Sequence, residues 1–226
     1  MRTILINVDA GELVDEPNEL VALAHVVHVA CGGHAGDAET MRATLRRAKS
    51  AGTWVGAHPS YPDRDGFGRR PMSIGLDELR ASLTHQVNVL ARLAGDEGLT
   101  LTSLKAHGAL YHAANEDRTL ALLLVDIAKN ALASPMTVVG PPSGCLQTAS
   151  IESGLTFLAE GFADRRYEAD GALRARTQPG ALLDNVEEAT LQARTLASSG
   201  RYGTLCVHGD SPRALPILAA LRGLFP

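Results

Sequence analysis

No GxxxxGK[ST] string and no strand-linked GxGxxG occur anywhere in the chain. Neither a P-loop phosphate cradle nor a Rossmann dinucleotide site is therefore supported. There is no CxxC, and the three cysteines, Cys31, Cys145 and Cys206, are odd in number and far apart. That pattern excludes a disulfide framework and points to reduced thiols. A basic block is also missing: 21 Lys and Arg against 25 Asp and Glu give a net charge of −4. Nucleic acid and anionic membrane surfaces are not expected partners. No apolar run reaches the roughly 18 residues of a membrane span. The opening string Met1-Arg2-Thr3-Ile4-Leu5-Ile6 enters a strand pattern without signal-peptide anatomy, so a cytoplasmic location is expected. Aromatic residues make up only 4 %. Even so, 45 % hydrophobic content over 226 residues can fill one sizeable core. With no linker, low-complexity tract or repeat, one catalytic domain over residues 1–226 is expected.

Two kinds of apolar pattern alternate. Short aliphatic runs predict strands at Ile4–Val8, Val26–Ala30, Thr53–Ala57, Leu101–Ala106, Met136–Gly140, Leu155–Leu158 and Thr204–Val207. Between them lie helical stripes: Met41, Leu45 and Ala48 after a capping Asp37 and before Gly52; Leu76 through Ala94; Leu120, Leu124 and Ile127; Val186 through Leu196; Leu215, Leu218 and Leu221. Strand–helix alternation implies parallel strands with right-handed crossovers. Seven strands predict an irregular (β/α) barrel, with an open doubly wound sheet as the alternative.

Five of these strands run into short polar strings. These are Asn7-Val8-Asp9-Ala10-Gly11-Glu12, Ala30 to Asp37, Gly56 to Arg64, Lys105-Ala106-His107-Gly108 and His208-Gly209-Asp210. Carboxyl ends of parallel strands share one edge, so these strings are expected to meet in one site. Residues two apart on a strand face the same way, which pairs Asn7 with Asp9, Lys105 with His107, and Cys206 with His208 and Asp210. Carboxylates, an ammonium and imidazoles gathered there can move protons, hold phosphate or bind a metal. A lone His is usually a hydrogen-bonded core residue. Three strand-end histidines flanked by Gly or Pro (His58, His107, His208) are harder to explain that way. His25, His85 and His112 read as ordinary helix or surface residues, and His28 is left open.

Cys31 beside His34 is a candidate thiol nucleophile, although no base stands at a known spacing; a small buried thiol is the competing reading. Backbone N–H groups near Asp37, at the start of a helix, form a candidate anion site. Two long polar loops, Pro59–Pro71 and Glu160–Gly180, carry arginines suited to clamp a carboxylate or phosphate. Arg64 and Arg165, each in an Asp-Arg pair soon after a strand, are the candidates chosen.

At these residues the chain resembles the LamB/YcsF family, whose characterised members are the A component of the bacterial 5-oxoprolinase. The family pattern aspartate-leucine-asparagine-x-aspartate-x-glycine-glutamate matches at Asn7, Asp9, Gly11 and Glu12, with Leu5 in place of the leading aspartate. ACGFHAGD is matched from Ala30 to Asp37 with Gly33 for phenylalanine, and GAHPSFPDR from Gly56 to Arg64 with Tyr61. KPHGxLYN is matched from Lys105 to His112, with Ala106 and His112 as departures. EVFADRxYxxDGxL is answered by Glu160, Phe162, Ala163, Asp164, Arg165, Tyr167, Asp170, Gly171 and Leu173, and CLHGD by Cys206 to Asp210.

The resemblance implies a seven-stranded β/α barrel of the glycoside hydrolase/deacetylase type. It implies ATP-dependent opening of 5-oxo-L-proline to L-glutamate, with ADP and phosphate released, by a complex with the 5-oxoprolinase B and C subunits. ATP is then a co-substrate, with Mg²⁺ or another divalent metal as companion. Asp9, His58, Lys105, His107 and His208 are the catalytic candidates. Asn7, Glu12, His34, Asp37, Arg64, Glu160, Asp164 and Arg165 are the candidates for holding substrate or phosphate. Two rivals stand beside this reading. One is metal-dependent amide or carbohydrate deacetylase-like hydrolysis without ATP, with Asp9, His34 and His58 as ligands. The other is a non-catalytic lactam-binding regulatory subunit.

Overall fold

A computed structural model describes residues 3–13 and 15–226. Among them the order is β1 (Leu5–Ala10), α1 (Glu19–Ala22), β2 (Val26–Ala30), α2 (Ala38–Ala51), β3 (Trp54–His58), α3 (Leu76–Asp96), β4 (Leu101–Lys105) and α4 (Gly108–Glu116). There follow α5 (Arg118–Asn130), β5 (Thr137–Gly140), α6 (Cys145–Glu152), β6 (Phe157–Phe162), α7 (Val186–Ser198), β7 (Thr204–His208) and α8 (Ala214–Leu224). The strands pair in sequence order, all parallel, and β7 closes on β1. The closing register sets Asp9 against His28 of β2 on one side and against His208 of β7 on the other. The open-sheet alternative is thereby removed.

The helical stripes lie where their periodicity puts them. On α3, Leu79, Leu83, Val87, Leu90 and Ala94 are buried on one face. Asp37 caps α2 by accepting from the N–H groups of Glu39 and Thr40, a cap worth about 1 kcal/mol. Gly52 ends α2 at φ 70°, a left-handed turn that glycine enters without a Cβ clash. The last strands and helices enclose the barrel with Ile217, Leu218 and Leu221 of α8 fully buried.

Two expectations shift. The strand placed at Leu155–Leu158 begins later, at Phe157, and runs through Glu160 to Phe162. Leu155 instead donates its N–H to Ser150 O and so ends the turn that leaves α6. Glu160 ended the apolar run in sequence, yet its carboxylate points into the barrel and finds a cationic partner there. α4 follows β4 with no connecting loop beyond Ala106 and His107, and no helical stripe marked it in sequence.

Branched apolar layers usually fill a β/α barrel. Here much of the interior is polar: Asn7, Asp9, His28, Ser103, Lys105, Glu160 and Thr204 are all buried. The apolar core lies mainly between strands and helices, and the barrel's own axis is given over to ionisable groups.

Candidate active site at the carboxyl edge

Lys105 is the hub of the lower tier. Its side chain is 2 % exposed, and Nζ lies 2.8 Å from Asp9 Oδ1, 2.8 Å from Glu160 Oε1, 3.0 Å from Asn7 Oδ1 and 3.2 Å from Cys206 Sγ. Burial alone would lower the proton affinity of the amine. Asp9, Cys206 and Glu160 together more than offset this and raise it well above the ordinary lysine value. Lys105 is therefore a fixed ammonium rather than a base, and its three donors hold two carboxylates in place. Asn7 completes the tier, donating to Glu160 at 3.0 Å and to Thr204 at 2.8 Å. His28, left open by the sequence, joins its underside: Nε2 lies 3.1 Å from Ser103 Oγ, and burial, then Lys105, hold the ring neutral.

Above it stands an imidazole tier. His34, His58, His107 and Glu12 come from the ends of four different segments, and one ligand atom of each lies within 4.8 Å of all the others. His58 reaches down to Asp9 at 3.5 Å, which joins the tiers. Burial opposes ionisation of Glu12, but the adjacent imidazoles of His107 and His34, at 3.2 Å and 3.0 Å, carry its carboxyl well below the usual range. Burial lowers both His34 and His58.

A carboxylate–imidazole dyad forms the third component. Asp164 is fully buried and accepts both the His208 backbone N–H at 2.9 Å and its Nδ1 at 3.0 Å. Burial opposes protonation of His208, whereas Asp164 raises its affinity above the ordinary value. The dyad fixes one ring nitrogen as a donor and leaves Nε2 without a hydrogen bond among the described residues, the arrangement of an oriented acid–base.

These groups open into a cavity of about 460 Å³ whose floor includes Asp9, His58, Lys105, His107 and His208. The same cavity is lined by four arginines: Arg69, Arg165, Arg174 and Arg176. Arg165 is 8 % exposed, donates Nη2 to Arg174 O at 2.7 Å and has no partner for Nε among the described residues. Arg176 and Arg69 both grip Asp210, at 2.6 Å and 2.8 Å. The two long loops and the β7 end are thus clasped together over the mouth.

Eleven of the thirteen candidates from sequence belong to this region: Asn7, Asp9, Glu12, His34, His58, Lys105, His107, Glu160, Asp164, Arg165 and His208. Six of these line the cavity itself, Asp9, His58, Lys105, His107, Arg165 and His208, and the other five are tied to them by hydrogen bonds or short contacts; Asp37 and Arg64 stand apart. The Asp37 carboxylate is spent on the α2 cap, and the Arg64 guanidinium donates to Gly32 O at 3.0 Å and Gly36 O at 2.8 Å, bracing a loop. The metal trio Asp9, His34, His58 is also regrouped. The carboxylate that joins these imidazoles is Glu12, with His107, while Asp9 groups with Cys206 and His208. Cys31 is no nucleophile here: its thiol donates to Val29 O at 3.1 Å and burial pushes it up to about 12.

Sequence reasoning passed over Arg69, Arg176, Tyr111 and His112, all of which line the cavity. Tyr111 is buried, its hydroxyl has no hydrogen-bond partner among the described residues, and burial and then Glu160 push it well up. Its signal was the continuation of the Lys105–Gly108 string into the first turn of α4. The departure at Leu5 lies elsewhere. It lines a separate cavity of about 280 Å³ at the amino-terminal mouth with Val26 and Trp54.

The fold and site define a closed parallel β/α barrel whose acid–base groups converge at the carboxyl edge in a cavity also lined by arginines. The profile of the LamB/YcsF family matches residues 4–225, and the chain belongs to that family. It is 38 % identical to the 5-oxoprolinase A component of Symbiobacterium thermophilum, over 98 % of this chain and 91 % of that one. The same-named protein of Chloroflexus aurantiacus is 41 % identical, over 98 % and 94 %. Among solved structures, the lactam utilization protein from Thermus thermophilus superposes with a TM-score of 0.88 at 32 % identity, covering 97 % of this chain and 94 % of that one.

Proposed function

We propose that this chain is the A component of a 5-oxoprolinase, opening 5-oxo-L-proline to L-glutamate with conversion of ATP to ADP and phosphate. The observation that carries the reading is the single cavity lined by four arginines together with Asp9 and His208, the latter held by buried Asp164, in a chain alike over nearly its whole length to proteins of that name. A five-membered lactam is resonance-stabilised and little strained, so it needs activation. Transfer of the γ-phosphoryl group to the lactam oxygen makes an imidate phosphate and releases ADP. Water adds to that carbon, the C–N bond breaks with proton transfer to nitrogen, and the resulting acyl phosphate is hydrolysed by a second water to glutamate and phosphate. Each step needs a positioned proton carrier and charge neutralisation. His208, oriented by Asp164, serves as proton carrier. Asp9, pinned by Lys105, accepts from the attacking water. Arg165 and Arg176 hold the substrate carboxylate or the phosphoryl oxygens.

With no P-loop string in the chain, the nucleotide site is shared with partner subunits, the B and C components of the family's assembly. The test is glutamate release from 5-oxoproline by the chain alone and after co-purification with the products of its neighbouring genes. The proposal expects little turnover alone and, with partners, one ADP per glutamate. Missing phosphate positioning should reduce the rate by several orders of magnitude. Fast ATP-dependent turnover by the isolated chain would refute the shared site. Ring opening without ATP would favour the metal-hydrolase reading, and tight lactam binding with no turnover in the full assembly would favour a regulatory role.

A further inference from the structure

The imidazole tier contains an electrostatic contradiction. His58 Nδ1 lies 2.8 Å from the Lys105 carbonyl, and His107 Nε2 lies 3.0 Å from the Phe67 carbonyl. A carbonyl only accepts, so each of those nitrogens carries the ring's proton. The remaining nitrogens, His58 Nε2 and His107 Nδ1, are then bare lone pairs, and they face each other at 3.0 Å. Glu12 Oε1 adds a third acceptor, 3.2 Å from His107 Nδ1 and 3.7 Å from His58 Nε2. All three side chains are buried. Three acceptors aimed at one point are repulsive unless a cation sits among them.

We propose that Glu12, His58 and His107 form a binding site for one first-row divalent transition cation of the zinc–cobalt class. The separations fit: a tetrahedral ion with bonds of about 2.0–2.1 Å sets neighbouring ligand atoms about 3.3–3.4 Å apart, within the observed range of 3.0–3.7 Å. The His58 and His107 rings stand perpendicular, at 88°, so both in-plane lone pairs can reach a common ion. His34 takes a different part. Its ring stacks on His107 at 3.7 Å and 3°, and two parallel rings cannot both direct in-plane lone pairs at one ion. His34 instead donates Nε2–H to Glu12 at 3.0 Å and orients the carboxylate. Three protein ligands leave one coordination position for water or substrate, the pattern of a reactive rather than a structural site. Two imidazoles with one carboxylate select this class of ion over Mg²⁺ and Ca²⁺, which require oxygen donors.

The inference is independent of the substrate assigned above, and its test involves no substrate. The chelator-stripped full-length chain is titrated with Zn²⁺ by calorimetry and with Co²⁺ by visible absorption. One ion per chain and a low-coordinate cobalt spectrum are expected. His34→Ala should weaken binding about 10–100-fold, the His58→Ala/His107→Ala double variant should abolish it, and His85→Ala on α3 should leave it unchanged. Circular dichroism verifies folding; if the double variant does not fold, the isosteric Glu12→Gln carries the comparison and should lose most of the affinity. A folded wild type that takes up neither ion would mean that a proton alone bridges the imidazoles, and the proposal would be wrong. Equal binding by the double variant or by Glu12→Gln would also overturn it.

Discussion

Replacing Lys105 with methionine removes the one ammonium that holds Asp9 and Glu160 together inside the barrel. Lys105 is a catalytic candidate from the sequence; the observed geometry gives it a folding role as well. Methionine keeps much of the stem's volume, so the packing term is small, under about 1.5 kcal/mol. The electrostatic term is not small. Breaking a buried ion pair by deleting one partner destabilises by about 3–5 kcal/mol, because the other charge stays buried and uncompensated. For a chain of this size each kcal/mol shifts the melting temperature by about 2–4 °C, so Lys105→Met should melt about 6–20 °C lower. The discriminating step is a second substitution, Glu160→Gln, in the same background. If uncompensated charge is the cause, neutralising Glu160 should recover a substantial part of the loss. If lost packing is the cause, it should recover none. Thermal melts followed by circular dichroism measure both. A single variant melting within about 2 °C of wild type, or no recovery in the double variant, would refute this account of the barrel interior.

Other outcomes follow from the same geometry. Gly108→Ala places a Cβ 2.4 Å from Gly68 O at φ 58°; a melting temperature lower by at least about 2–8 °C is expected from the left-handed strain alone, and an unchanged melt would contradict it. Cys31, pushed up to about 12 by burial, is thiolate to only about one part in ten thousand at pH 8. Peptide mapping after brief native alkylation should find Cys145 modified and Cys31 spared; comparable labelling would reopen the nucleophile reading. His208 is raised above its ordinary value by Asp164 against the effect of burial. Its contribution to stability is fully present below about pH 6.5, the unfolded value, and is lost as pH rises through the higher folded value. The melting difference between wild type and His208→Gln should therefore shrink from about pH 6 to about pH 9, and a difference that grows with pH would show that the dyad has been misassigned.

Much of the barrel was legible because its signals are local. Each aliphatic run is short enough to be a strand, each stripe long enough to be a helix, and their alternation admits few topologies. The convergence of Asp9, His58, Lys105, His107 and His208 was legible for a related reason: parallel strands oblige their carboxyl ends to share an edge. β6 was misplaced because a charged residue normally ends an apolar run, and nothing near Glu160 in sequence announces the Lys105 ammonium 55 positions away that makes its burial tolerable.

The choice among arginines shows where local reasoning stops. Arg64 follows β3 in an Asp-Arg pair, as Arg165 follows β6, and the two look equivalent in sequence. Arg64, however, meets the free carbonyls of Gly32 and Gly36 and is consumed by them. The chain then reverses at Phe67 and Gly68, both at positive φ (53° and 64°). That reversal carries Arg69 towards Asp210 and presents Phe67 O to His107 Nε2. A single strained turn thus sets the arginine at the cavity mouth and the tautomer of His107. Phe67 is the one described non-glycine residue at positive φ, and such backbone strain persists only where its surroundings over-determine it. Both consequences of the turn lie in the site: an arginine at the cavity mouth, and a bare nitrogen where His107 meets His58 and Glu12.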